Sequence, residues 1–200
     1  NYMGEFVEDC IEGQQIKYTS TDGNIVKLNN SGAFWVNIVS NTYENGQGVI
    51  TFDGQVTTIG DNAFRNCETL KTIEIPEGVE EIGYQAFEVC SSLESITIPT
   101  TLKSFGSVAF NACEQLKSVH ISDLTTWCKI TPTSGDCNPL SYGADLYLNG
   151  SKVTNLTIPS EITTINNMAF YGCTNLEYIE FPLVETLGAQ SFYGCNALNH

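Results

Sequence analysis

The residues best suited to chemistry in this 200-residue chain are its eight cysteines and two histidines. Cys67, Cys90 and Cys113 follow one another at intervals of 23 residues, and Cys173 and Cys195 are 22 residues apart. Thiolates are good nucleophiles and metal ligands, but a metal site needs ligands that converge from different directions. Thiols that recur at one step of a repeat project in parallel, so we expect these five to be buried and unreactive.

The three remaining cysteines lie outside this spacing. Cys128 and Cys137 could form a disulfide in an exported protein, because such a protein meets oxidising conditions. Cys10 would then be a free thiol or would pair with a residue beyond this segment.

Neither histidine belongs to a catalytic sequence motif: His200 is the last residue, and His120 lies in a predicted strand of the repeat. The chain contains no Gly-x-Ser-x-Gly, no His-Glu-x-x-His, no phosphate-binding loop and no dinucleotide fingerprint. A carboxylate pair for glycoside hydrolysis is possible in principle. However, acidic residues such as Glu77, Glu81 and Glu88 fall on predicted solvated turns, where nothing raises a pKa. We therefore predict that the protein is not an enzyme and has no catalytic residue, metal ion or cofactor.

Charge restricts the partners of the chain. Its 23 acidic and 8 basic side chains give a formal net charge of -15 at pH 7. Such a surface repels phosphate backbones and anionic lipids, so neither nucleic acid nor a bare membrane is expected to bind. No apolar run is long enough to span a bilayer, and the first ten residues are not a signal peptide. We expect a mature segment whose export signal lies outside it and whose repeats continue beyond its C-terminus.

The cysteine spacing belongs to a longer internal repeat. Phe64, Phe87 and Phe110 keep the same step of 23 residues. Self-similarity at a period between about 20 and 50 residues indicates a solenoid, in which each repeat forms one coil that stacks on the next. The fold class expected is therefore a repeat solenoid.

Residues 70–90 show one repeat in full. Alternating apolar and polar residues predict a strand that starts at Leu70 and ends before Pro76, because proline has no N–H to donate to a sheet. A second short extended piece follows and turns at Gly83, and the last stretch predicts a short helical or 3-10 turn. About eight side chains per coil are expected to point inward, here Leu70, Ile73, Ile75, Val79, Ile82, Ala86, Phe87 and Cys90.

One repeat carries an insertion. Ile121 and Ile158 occupy equivalent positions but are 37 residues apart, and we place the extra residues within 123–150. Asn149 and Gly150 stand between two apolar stretches, which is a strong signal for a two-residue hairpin turn. The insertion is therefore expected to form an enlarged coil and not a free loop.

The pattern Leu-x-x-Ile-x-Ile-Pro-x-x-Val-x-x-Ile-Gly-x-x-Ala-Phe-x-x-Cys of residues 70–90 resembles the BspA-like leucine-rich repeats of surface proteins from anaerobic and gut-associated bacteria. The resemblance extends from about Gly48 to the C-terminus and recurs five times. It implies a leucine-rich-repeat solenoid of stacked parallel β-strands and short turns, with about 23 residues per coil. It also implies secretion or display on the bacterial cell surface, and adhesion to host proteins or neighbouring cells.

Upstream of Gly48 the repeat fades, which divides the single predicted domain into two parts. Residues 48–200 are assigned to the solenoid, and residues 1–47 to an N-terminal cap with the first strands, because the first coil of a solenoid must be covered. Within the cap, residues 15–28 predict two short strands around the turn Thr21-Asp22-Gly23.

The outward residues of the strands supply a candidate binding face. Equivalent residues on stacked strands lie about 4.8 Å apart and form ladders. The first predicted ladder comprises Thr72, Ser95, Ser118, Asn155 and Tyr178, and the second comprises Glu74, Thr97, His120, Thr157 and Glu180. Such a mostly neutral face suits recognition of a macromolecule by many weak contacts, and it is equally compatible with an ordinary solvated sheet.

The function predicted is a cofactor-free binding module for a protein ligand, such as a host matrix or cell-surface protein. A carbohydrate-binding module is one alternative, although it would need more aromatic platforms than Tyr178 on this face. A structural spacer that presents another domain is the second alternative, and it would bind nothing.

Overall fold

The computed structural model describes residues 14–132, 134 and 137–199, and these form a β-solenoid of about six coils. The elements, in chain order, are β1 (Gln15–Ser20), β2 (Ile38–Glu44), β3 (Gln47–Phe52), β4 (Thr58–Ile59), β5 (Leu70–Glu74), β6 (Glu81–Ile82), β7 (Ser95–Thr97), β8 (Ser104–Phe105), β9 (Ser118–Ile121), α1 (Leu124–Lys129), β10 (Thr131–Pro132), β11 (Asp145–Leu148), β12 (Ser151–Lys152), β13 (Asn155–Thr157), β14 (Thr164–Ile165), β15 (Tyr178–Glu180) and β16 (Thr186–Leu187).

Each regular coil has one strand on the long side of the solenoid and a shorter strand on a second side. The long side is an eight-stranded sheet in the order β12-β11-β9-β7-β5-β1-β3-β2, followed by a separate pair, β13 and β15. The second side consists of β10-β8-β6-β4 and of the pair β14 and β16. Neighbouring coils pair in parallel, for example β5 with β7 and β6 with β8. The predicted solenoid of stacked parallel strands is confirmed.

The core is a column of stacked inward side chains. The eight positions predicted for residues 70–90 are all buried, none more than 4% exposed. Phe87 stacks between Phe64 and Phe110 at ring-centroid distances of 5.1 and 5.2 Å with interplanar angles of 4°. One coil alone has nothing to cover such a ring, so the stabilisation by burial arises between coils.

The third side of each coil is a run of tight turns. Cys90 N–H donates to Phe87 C=O at 3.1 Å, which is the bond of a 3-10 turn. Gln85 and Val89 have φ values of 54° and 59°, and this left-handed backbone prevents a continuous helix. Val89 N–H instead donates to Asn111 C=O of the next coil at 2.9 Å. The third side therefore links coils as the strands do.

The N-terminal segment does not form the predicted hairpin. β1 ends at Ser20, and no strand follows the turn at Asp22 and Gly23. Instead β1 inserts between β3 and β5 and pairs antiparallel with both. This arrangement satisfies the backbone groups on both edges of β1, which a local hairpin would leave half unpaired. Residues 1–13 of the proposed cap, including Cys10, lie outside the described residues.

The insertion is part of the solenoid, as predicted. After β9 the chain enters α1, then β10 extends the second side and β11 extends the long side, both in parallel with the preceding coil. β12 returns antiparallel to β11 through Asn149 and Gly150, whose φ values are 50° and 80°. The predicted two-residue turn is confirmed, because both positions adopt the left-handed backbone that Asn-Gly favours.

Candidate binding face

Six of the ten predicted face residues lie together on the eight-stranded sheet. Thr72, Ser95 and Ser118 are register partners in one row, and Glu74, Thr97 and His120 are partners in the next. All six side chains are exposed or half-buried, whereas the intervening Ile73, Ile96 and Val119 are buried. Strand alternation thus places one polar face toward solvent.

The predicted ladders are not continuous. Asn155 and Thr157 on β13 pair with Tyr178 and Glu180 on β15, but β13 does not pair with β9. The hairpin of β11 and β12 stands at that position in the sheet. The candidate face is therefore divided into a first block, formed by β1, β5, β7, β9 and β11, and a second block, formed by β13 and β15.

Sequence reasoning missed the contribution of the insertion to the first block. Asp145 is the register partner of Ser118, and Tyr147 is the partner of His120. The rings of Tyr147 and His120 stack at a centroid distance of 4.7 Å and an angle of 23°. The alternation of Asp145 and Tyr147 with buried Leu146 could have revealed this, since it matches the alternation of β9.

The other edge of the first block is supplied by the N-terminal strand. Thr19 on β1 is the register partner of Thr72, and their hydroxyl oxygens are 2.7 Å apart. Lys17 is the register partner of Glu74 and places a positive charge beside that carboxylate. The two rows of the first block are therefore Thr19, Thr72, Ser95, Ser118 and Asp145, and Lys17, Glu74, Thr97, His120 and Tyr147.

Burial lowers the pKa of His120 below its ordinary value, because the charged imidazolium loses hydration under its neighbours. The neutral ring predominates at pH 7 and can both donate and accept a hydrogen bond. Together with Tyr147 it forms an amphipathic aromatic pair in a row that also holds hydroxyl groups. Such a surface can contact apolar atoms and hydrogen-bond at once.

The second block is smaller, and its hydrogen bonds centre on one carboxylate. Glu180 accepts hydrogen bonds from Tyr178 Oη at 3.0 Å and from Thr157 Oγ1 at 3.1 Å. The bond to Glu180 raises the pKa of Tyr178, because ionising the phenol would break it and oppose two negative charges. Tyr178 is 51% exposed, so its ring is available to a partner.

The five cysteines that recur with the repeat, Cys67, Cys90, Cys113, Cys173 and Cys195, form a cysteine ladder that is buried in the core. Cys90 Sγ donates to Phe64 C=O at 3.0 Å, and Cys113 Sγ donates to Phe87 C=O at 3.1 Å. Burial raises the pKa of Cys113 to about 12. All five ladder thiols are buried and free, so the predicted inert role is supported by their burial and their raised pKa values.

The possible disulfide in the insertion is not formed, because Cys128 is a free thiol. Burial raises its pKa to about 12. Cys137 Sγ instead contacts the backbone of Ser134, donating to its C=O at 2.7 Å.

The assignment of Glu81 and Glu88 to solvated turns is wrong. Glu81 lies in β6, and Glu88 is only 9% exposed. Glu88 accepts from Arg65 Nε at 2.6 Å and from Asn111 Nδ2 at 3.3 Å, which are its neighbours in adjacent coils. Burial of this carboxylate is tolerated because both of its oxygens are hydrogen-bonded.

The described residues offer no grouping of three or more His, Cys, Asp or Glu side chains that could hold a metal ion. The same residues include no helix long and apolar enough to cross a membrane. Coils of about 23 residues with a strand, a tight turn and a repeated Leu, Ile and Phe core define a leucine-rich-repeat solenoid.

The chain belongs to the BspA-type leucine-rich repeat family. The model of that family matches residues 37–130 and 141–200 in six copies, one more than the five repeats that the sequence predicts. The match omits residues 131–140, which lie in the insertion. No curated protein matches the chain.

Three solved structures are similar to the chain. A leucine-rich repeat protein of Bacteroides ovatus is 33% identical over 82% of this chain and 38% of its own, with a TM-score of 0.47. The leucine-rich repeat protein of T. pallidum is 21% identical over 74% of this chain and 73% of its own, with a TM-score of 0.44. A leucine-rich cell surface protein of Faecalibacterium prausnitzii is 22% identical over 81% of this chain and 45% of its own, with a TM-score of 0.43. The chain thus spans less than half the length of two of these proteins.

Proposed function

We propose that the protein is a non-enzymatic interaction module, displayed outside the bacterial cell, that binds a protein ligand through the first block. Membership of the leucine-rich repeat family supports an interaction role. We choose this surface because its two rows of register partners are continuous across the strands and include the stacked rings of His120 and Tyr147. Adhesion to host matrix or neighbouring cells is the biological form we propose for this interaction.

The first block suits a protein ligand better than a small molecule. Its five hydrogen-bonded strands span about 20 Å at the usual strand spacing, which is wider than a small molecule needs. Tyrosine is enriched where protein partners bind, and Tyr147 supplies one, stacked on the ring of His120 in the neighbouring strand. Hydroxyl groups on β5, β7 and β9 would form the surrounding polar contacts.

We further propose that residues 14–47 act as the N-terminal cap of the solenoid. The support is that β1 covers one edge of β5 while Phe34 and Phe52 are fully buried at the same end. A cap in this position would also hold Lys17 and Thr19 in the rows of the first block.

Binding of the chain to an array of extracellular matrix proteins and glycans tests this proposal. One variant carries Thr97→Ala, His120→Ala and Tyr147→Ala in the first block, and a second carries Thr157→Ala, Tyr178→Ala and Glu180→Ala in the second block. A control carries Ser91→Ala, Gln115→Ala and Thr163→Ala at positions away from both blocks.

We expect saturable binding to a protein that the first-block variant loses and the control retains. Loss of binding only in the second-block variant would indicate that the site lies on β13 and β15. Binding to a glycan alone would favour a carbohydrate-binding module, and no binding across the array would favour a structural spacer.

A further inference from the structure

Trp35 is the most exposed large hydrophobic side chain among the described residues. It is 83% exposed, although a tryptophan usually gains more from burial than other side chains do. Its backbone has a φ of 61°, in the left-handed region that a bulky residue seldom adopts. The fold does not use this ring for packing, so a role in contacts with another molecule becomes the natural explanation.

The backbone around Trp35 is held firmly. Phe34 is fully buried and packs against Phe52 and Phe64 at ring-centroid distances of 4.9 and 5.9 Å. Gly60 N–H donates to Ala33 C=O at 2.9 Å. A Cβ at Gly60 would lie 2.2 Å from that oxygen, so only glycine permits the approach. The backbone that carries the exposed indole is therefore anchored to the first coil.

A groove with a volume of 660 Å³ begins at Trp35 and crosses to the second side of the solenoid. Its described lining residues include Asp61 and Glu81 but no lysine, arginine or histidine. Asp61 Oδ1 accepts from Tyr84 N–H at 2.8 Å, which orients the carboxylate. Glu81 is exposed on β6 and makes no ion pair with a described residue. The groove thus joins one aromatic face to two uncompensated negative charges.

We propose that this groove binds a lysine or arginine side chain of a basic polypeptide segment. A cation is attracted to the face of an indole, and the attraction grows when carboxylates stand beside it. The net charge of -15 on the whole chain adds a long-range field that draws basic segments toward the surface. A neutral sugar could stack on the ring and donate hydroxyl hydrogen bonds to the carboxylates, but it would not gain the attraction between opposite charges that a cation does. The site lies outside both blocks of the candidate face and is independent of the function proposed for them.

The test is calorimetric titration of the chain with an octapeptide of alternating arginine and glycine, beside a peptide with glutamine in place of arginine. Trp35→Asn removes the indole without adding backbone strain, because asparagine tolerates a positive φ. Trp35→Phe keeps a weaker aromatic face. Asp61→Asn with Glu81→Gln removes the two carboxylates, and Glu114→Gln with Glu177→Gln removes the same charge elsewhere.

We expect Trp35→Asn to weaken arginine-peptide binding about tenfold and Trp35→Phe to weaken it less. The Asp61 and Glu81 pair should weaken binding more than the charge-matched control pair does. Urea unfolding of each variant verifies that the fold is retained. Equal losses in the two charge pairs would show non-specific attraction and overturn the proposal. Unchanged binding in Trp35→Asn, or preference for an oligosaccharide over the arginine peptide, would also overturn it.

Discussion

Three of the five thiols in the cysteine ladder link the third side of one coil to the coil before it. Each of Cys90, Cys113 and Cys195 donates from Sγ to the backbone C=O of the stacked phenylalanine one coil earlier. A serine could make the same bond but would lose the apolar contacts that the larger sulfur makes. The recurrence of cysteine is thus explained by packing and a weak hydrogen bond at the same atom.

Thiol labelling should separate native from unfolded protein. At pH 8 we expect Cys90 and Cys113 to resist a thiol-specific chromogenic reagent in the folded chain, because burial raises both pKa values and blocks access. Unfolding in urea should expose them and produce rapid labelling. Mass spectrometry of labelled peptides identifies the sites. Fast native labelling of Cys113 would contradict the inert role, and an exposed site made by Ser91→Cys is the positive control.

His120 should titrate below the usual histidine value of about 6.5. Its folded pKa is lowered by burial, so the unfolded chain takes up the proton first as pH falls. The contribution of His120 to stability is therefore present above the unfolded pKa and declines below it. NMR titration checks the midpoint, with the resonance assigned by its absence from His120→Gln. A midpoint above about 6.5, the ordinary histidine value, would contradict the expected direction.

Among the elements, α1 depends on a single capping residue. Asp123 accepts hydrogen bonds at 3.0 Å from the N–H groups of both Thr125 and Thr126. The hydroxyl of Thr126 also donates to this carboxylate at 2.6 Å. These bonds lower the pKa of Asp123, the side-chain bond from Thr126 most of all. The cap holds the helix that replaces the usual turn in the enlarged coil.

Asp123→Ala should lower the free energy of unfolding by about 1 kcal/mol, and Asp123→Asn by less, because asparagine also caps helices. The folded pKa is depressed, so the contribution of the carboxylate is present above about pH 4 and is lost as pH falls through the folded pKa. Urea unfolding at neutral and acid pH measures the difference between wild type and Asp123→Ala. A difference that grows on acidification would contradict this account.

At the scale of the whole molecule, charge opposes compaction. Ion pairs such as Lys103 with Glu80 and Lys152 with Asp145 compensate only a few of the 23 acidic side chains, and the chain keeps a formal net charge of -15. The remaining carboxylates repel one another along the stack. Because coils contact only their neighbours, this repulsion acts on every interface between coils.

Salt should therefore stabilise the fold. The urea midpoint should rise between about 0.01 M and about 1 M NaCl, since the screening length falls from roughly 30 Å to roughly 3 Å. The variant Glu114→Gln with Glu177→Gln should be more stable at low salt and should gain less from added salt. A midpoint that falls with salt would show that attractive ion pairs dominate.

Much of the fold was predictable because stacking brings equivalent positions of successive repeats into contact. Phe87 meets Phe64 and Phe110, and Thr97 meets Glu74 and His120, whenever coils of equal length stack. Strand alternation then separates inward from outward residues, and burial follows directly from the apolar pattern. For the same reason six of the ten predicted face residues stand in register within the first block.

The sequence by itself thus determined the solenoid, its period, its core and the outward rows within uninterrupted repeats. Only the tertiary structure decided that β1 lies between β3 and β5, that Tyr147 stacks on His120, and that Trp35 lines the same groove as Asp61 and Glu81. The physical reason is that repeat contacts have a constant sequence separation, whereas these contacts join irregular segments. An irregular segment packs where it can pair backbone N–H and C=O groups that the stacked coils leave without hydrogen bonds. Those positions are known only once the whole stack has formed.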